Sequence, residues 1–123
     1  MKLTTAGIAL IVVILIVAFY DVQRTQPDIF TGEIMDSQCA ALGSHMATMK
    51  AQGFLTPTQC VLYCAHYRNP PGKYVLYDAA TKTTYPLNDQ ERVAPYITEK
   101  VRIMGGYDAA SNTVTPKSIT AEP

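Results

Sequence analysis

The chain has 123 residues and carries 10 Lys plus Arg against 10 Asp plus Glu, for a formal net charge of zero. That length argues for a single domain, and the balanced charge excludes a typical nucleic-acid binder, which shows a basic excess on one face. No charge run, low-complexity tract, G-x-S-x-G, P-loop or dinucleotide fingerprint is present, so nothing reads as a complete enzyme active site.

From Leu3 to Tyr20 the chain runs eighteen residues without a charge, most of them Ile, Leu, Val or Ala. As a helix that stretch spans roughly 27 Å at about 1.5 Å per residue, near the hydrocarbon thickness of a bilayer. It lacks the polar stripe of a surface helix. Val17-Ala18-Phe19-Tyr20-Asp21 offers bulky aromatics where a cleavable signal has small residues. The expectation is an uncleaved single-pass anchor over residues 1–20. Lys2 before it, with Asp21 and Arg24 cancelling after it, sets the N-terminus in the cytoplasm and the domain outside, in the periplasm. Residues 21–28, polar and containing Pro27, read as a linker to an extracytoplasmic domain over residues 29–123.

Within that domain, Ile29 to Met35 predicts a first strand, with Gly32 as a bulge or close-approach point. Asp36 or Ser37 then caps a short helical turn bearing Cys39. Ser44 to Gln52 reads as a helix stopped by Gly53. Thr56-Pro57-Thr58-Gln59 is a capping box with Pro at the first helical position, opening a helix through Cys60, Cys64 and Tyr67.

The pattern then turns to β. Lys73 to Tyr77 and Thr83 to Leu87 predict one hairpin, and Lys100 to Tyr107 with Asn112 to Ile119 a second. Between them Asn88-Asp89-Gln90-Glu91 opens a short helix with a second capping box. Tyr77-Asp78-Ala79-Ala80-Thr81-Lys82-Thr83 recurs as Tyr107-Asp108-Ala109-Ala110-Ser111-Asn112-Thr113, one turn chemistry used twice. The predicted fold class is mainly β (α+β): a small five-stranded OB-like barrel with a helical-pair insertion after strand 1. A plain α+β sheet with a helical flap is the alternative.

The chemistry-bearing residues are Cys39, His45, Cys60, Cys64 and His66. Cys60 and Cys64, four apart on a predicted helix, share a side. One reading is a disulfide joining Cys39 to Cys60 or Cys64. Its loop of roughly twenty residues contributes on the order of 3 kcal/mol in the chain-entropy model and leaves one thiol over. The other reading is a metal site of Cys39, His45, Cys60 and Cys64, since Cys3His is a familiar zinc set. Met46 and Met49 nearby admit copper as an alternative to zinc. Covalent haem is disfavoured because Cys60-Val61-Leu62-Tyr63-Cys64-Ala65-His66 departs from C-x-x-C-H. No C-x-x-C supports a thiol redox motif. Seven tyrosines follow the apolar segment and read as half-buried packing on amphipathic strands.

Gly32-Glu33-Ile34-Met35-Asp36-Ser37-Gln38-Cys39, together with Cys60 and Cys64, Tyr74-Val75-Leu76-Tyr77 and Val101-Arg102-Ile103-Met104-Gly105, resembles a group of small exported bacterial proteins. Their pattern is G-x-I-x-D-x-x-C, then a histidine, then C-x-x-x-C, then two β-hairpins. The likeness covers most of Thr31 to Ile119 and implies an exported, OB-like single domain with no particular activity. Many such proteins carry a signal or lipoprotein peptide, so the expected anchor departs from the group.

The functional expectation is non-enzymatic: an accessory or interaction subunit with protein partners in a membrane complex, respiratory or photosynthetic, without a cofactor. The alternatives are a periplasmic metal-binding domain for Zn or Cu, and an OB-like module for an oligosaccharide or peptide with an exposed aromatic groove.

Overall fold

The computed structural model describes residues 5–24 and 28–123, with side chains placed over 5–17 and 28–123. Helix α1 spans Thr5–Arg24, and its described Ile, Leu and Val side chains are exposed. Among the described residues no helix is long and apolar enough to cross a membrane. The uncharged part of α1 runs from Thr5 to Tyr20, 16 residues before Asp21, short of the roughly 20 apolar residues that a bilayer span takes. The expected transmembrane anchor is corrected accordingly, and with it the single-pass membrane placement that put the domain in the periplasm. Lys2, the charge before the apolar stretch, and Pro27, in the expected linker, lie outside the described residues.

The strands are β1 (Asp28–Asp36), β2 (Tyr74–Asp78), β3 (Thr83–Pro86), β4 (Lys100–Asp108) and β5 (Thr113–Ala121). They form one antiparallel sheet in the order β3-β2-β1-β4-β5. β1 is the central strand: it pairs with β4 along Asp28 to Glu33 and with β2 along Glu33 to Asp36. Between β1 and β2 come three short helices, α2 (Ser37–Leu42), α3 (Met46–Gln52) and α4 (Pro57–His66). A fourth, α5 (Gln90–Val93), continues into a 3-10 turn at Ala94–Tyr96 between the hairpins.

The expected OB-like barrel is not formed; the sheet stays open. Its outer strands β3 and β5 approach through one isolated bridge, Leu87 to Val114, and a bond from Asn88 N–H to Val114 O at 3.0 Å. No ladder follows, because β3 is four residues long and ends at Pro86, which has no N–H to donate. The helical insertion after strand 1 holds, as three short helices rather than a pair.

The alternation of β1 and β2 divides the interior in two. Ile34 and Leu76 enter the main core with Val61, Tyr74, Leu87, Val93, Val101, Ile103 and Val114. Their neighbours Met35 and Val75 point the other way and meet Cys39, Ala40, Cys60 and Cys64 beneath the helices. Helix α4 wedges between the two, sending Val61 into the first cluster and its two cysteines into the second. At Gly32 the β1 backbone lies close against β2: a Cβ there would collide with the Tyr77 carbonyl. The repeated turn is also present. Asp78 Oδ1 accepts from Ala80 N–H at 2.9 Å and Asp108 Oδ1 from Ala110 N–H at 3.0 Å, with Lys82 and Asn112 at matching positive φ of 54° and 55°.

Candidate metal centre

Four elements supply one buried cluster. Asp36 ends β1, fully buried, and its Oδ1 caps α2 by accepting from Gln38 N–H at 3.0 Å and Cys39 N–H at 2.9 Å. That cap holds Cys39 one turn into α2, also fully buried. Gly43 then closes α2 at φ 69°, and Ser44 N–H bonds back to Cys39 O at 3.2 Å. A residue with a Cβ resists this left-handed turn. The reversal returns the chain over Cys39, so that His45, six positions on, is buried beside it with 8% exposure. Ser44 Oγ accepts from Met46 N–H at 3.1 Å, while His45, the N-cap of α3, makes no side-chain capping bond.

Cys60 arrives from the other side, fully buried on α4. The expected capping box anchors that helix: Gln59 N–H donates to Thr56 Oγ1, and Gln59 Oε1 accepts from Thr56 N–H.

One ligand atom from each of Asp36, Cys39, His45 and Cys60 lies within 4.8 Å of those of the other three. Cys39 Sγ is 3.2 Å from Cys60 Sγ and 3.8 Å from Thr48 Oγ1, and no disulfide joins any of the three cysteines. His45 Nε2 donates to Glu33 Oε1 at 3.0 Å. A carboxylate only accepts, so in the neutral imidazole this bond places the proton on Nε2 and the lone pair on Nδ1. Nδ1 is buried without a partner, and so is Asp36 Oδ2.

Burial, followed by the neighbouring Cys60 and Asp36, raises the Cys39 thiol well above its ordinary range. Cys64 is pushed up to about 11, first by burial and then by the charge of Asp36 and by Cys60. Both effects describe thiols that keep their protons beside a buried acid when no cation is present.

The structure therefore brings together three of the four expected ligands, Cys39, His45 and Cys60, with Asp36 as the fourth member of a group that could hold a metal ion. Cys64 is fully buried in the same small core but lies outside the four-residue group. His66 lies away from it, 3.1 Å from the Tyr74 hydroxyl. The sequence pattern marks Asp36 only as a helix cap. A capping carboxylate uses one oxygen for backbone N–H groups, and the free second oxygen three positions before a cysteine is the signal that was available.

A groove of about 680 Å³ borders the cluster at His45, and Glu33, Met35, Met46, Met49 and Tyr77 are among its other lining residues. The aromatic side chains Phe30, Tyr85 and Tyr107 instead pack on one another, with ring centroids 5.1 to 6.2 Å apart.

No protein-family model, curated protein or solved structure matches this chain.

Proposed function

We propose that this protein is a metal-binding domain that holds one divalent ion, zinc by preference, through Asp36, Cys39, His45 and Cys60. The observation that carries the reading is that two of the three unpartnered buried side-chain atoms among the described residues, Asp36 Oδ2 and His45 Nδ1, are set beside two unbridged thiols. A buried carboxylate without a counter-charge costs several kcal/mol or shifts to its neutral form. Orphaned buried polar atoms are rare in folded proteins, and two in one cluster call for a ligand. A divalent cation satisfies both atoms and both thiolates at once.

The donor set supports zinc. Two thiolates, an imidazole and a carboxylate are all within zinc's ligand range, and four protein ligands complete its tetrahedral shell. Copper(I) prefers sulfur and is poorly served by a carboxylate. The Glu33 contact with His45 matches the carboxylate–histidine arrangement that orients imidazoles toward a metal. With all four ligands buried, the site fits a structural role, in which ion binding contributes to folding.

Titration of the reduced, chelator-stripped full chain with Zn²⁺ against a chromophoric chelator tests the proposal. One equivalent should bind with a Kd of about 10 nM or tighter, in line with small structural zinc sites. Co²⁺ in its place should give thiolate-to-metal charge-transfer bands and tetrahedral d–d bands. Binding no tighter than micromolar, or an octahedral cobalt spectrum, would overturn it.

A further inference from the structure

We infer that the metal centre is also a redox switch, in which two-electron oxidation by a peroxide joins Cys39 to Cys60 and expels the ion. This rests on the metal-binding reading and adds regulation to the same site. The geometry points to it through the sulfur separation. Two thiolates about 2.3 Å from one tetrahedral ion lie roughly 3.7 Å apart, while a disulfide requires about 2.05 Å. The Cys39 and Cys60 sulfurs are 3.2 Å apart, between the two arrangements. Metal binding needs them to part by about half an ångström and bond formation needs them to close by about one. Both moves are small, and they exclude each other.

The surroundings make the exchange local. Cys39 and Cys60 sit on separate short helices, α2 and α4, so neither is tied to the other through a common backbone. The residues between them include α3 and His45, and the groove wall formed by Ser44, His45, Met46 and Met49 belongs to this same segment. Cys39 and Cys60 are themselves fully buried, and His45 is the member of the four that lines the groove, so this is the side from which a molecule as small as hydrogen peroxide would approach.

The chemistry balances with peroxide as the oxidant. One thiolate attacks a peroxide oxygen, the O–O bond breaks, and a sulfenic acid forms with release of water once the departing hydroxide takes a proton. The second thiolate attacks that sulfur, the S–S bond forms, and the sulfenic oxygen leaves as a second water after protonation. Two thiolates, one H₂O₂ and two protons give one disulfide and two waters. Asp36 and His45 then remain as two ligands, too few to retain a structural zinc ion. Cys64, buried in the same small core but outside the four-residue group, stays reduced in this scheme.

The zinc-loaded full chain, treated with hydrogen peroxide in the presence of a chromophoric zinc indicator, tests the switch. Close to one equivalent of zinc should be released as peptide mapping finds a Cys39–Cys60 bridge and alkylatable Cys64, and dithiothreitol should restore zinc binding. Cys64→Ser should release zinc to the same extent as the parent chain. Zinc retained while peroxide is consumed, or a bridge that includes Cys64, would overturn the switch and leave the metal site standing. Failure of the reduced chain to bind zinc would sink both readings, and is read before any oxidant is added.

Discussion

Glu33 Oε1 and His45 Nε2 are 3.0 Å apart, and this contact decides which imidazole nitrogen is left for the buried cluster. Glu33 sits on central strand β1 and is partly exposed, whereas His45 opens α3 and is buried. The contact therefore joins the sheet to the helical insertion at the edge of the candidate metal centre. Glu33→Ala should lower zinc affinity about 10- to 100-fold, as removal of such outer partners commonly does. Glu33→Gln, which still accepts a hydrogen bond, should lose less. Competition titration measures both, and equal affinity in all three proteins would mean that the contact is an ordinary surface pair.

Asp36→Asn should have opposite effects on the two forms of the protein. Asparagine caps helices about as well as aspartate, so α2 should keep its start. Without metal, replacing a buried charge that has one unpartnered oxygen by a neutral amide should stabilise the chain by about 1 kcal/mol. With zinc, the loss of the anionic ligand should weaken binding at least 10-fold. Thermal unfolding with and without Zn²⁺ measures both, and a variant that loses stability in the metal-free form would argue that Asp36 serves the fold alone.

Cys64 predicts a pH dependence on the alkaline side. Burial, then Asp36 and Cys60, raise its thiol from an ordinary value of 9.0 to about 11. The folded state thus holds this proton more tightly than the unfolded chain, and the associated stability is complete below about pH 9. It is lost as pH rises through 11. The metal-free protein should lose on the order of 2 kcal/mol across that window from this group. Cys64→Ala should shrink the loss, leaving the part due to Cys39, which shifts in the same direction. Urea unfolding at a series of pH values provides the check, and an unchanged pH profile in Cys64→Ala would refute the assignment.

Gly32→Ala should destabilise the domain by about 2 kcal/mol or more, because the added Cβ meets the Tyr77 carbonyl across the β1–β2 pair. Gly53→Ala, with no atom within 4 Å of the added Cβ, should cost less, about 1 kcal/mol for its left-handed φ of 70°. Chemical denaturation of the two variants orders them, and a reversed order would contradict the close approach.

Local chemistry is the part that the sequence determined by itself. The Thr56 to Gln59 capping box, the Asp36 cap, the Gly53 stop and both Asp-led turns depend on groups within about four residues of one another, so their spacing is enough to specify them. Five strands in two hairpins and a leader, with helices after the first strand, follow from the same local periodicity. Sheet closure was not legible, because it depends on whether β3 and β5, remote in sequence, align for more than one bridge, and Pro86 cuts that ladder short. The ligand set was legible only in part. Three cysteines and a histidine stood out by residue type, but only the packing of α2, α3 and α4 against β1 brings Asp36, Cys39, His45 and Cys60 within 4.8 Å and leaves Cys64 outside. Which donors share an ion is a matter of distances across 24 residues of chain, and those distances are set by the buried face that the helices share with the sheet.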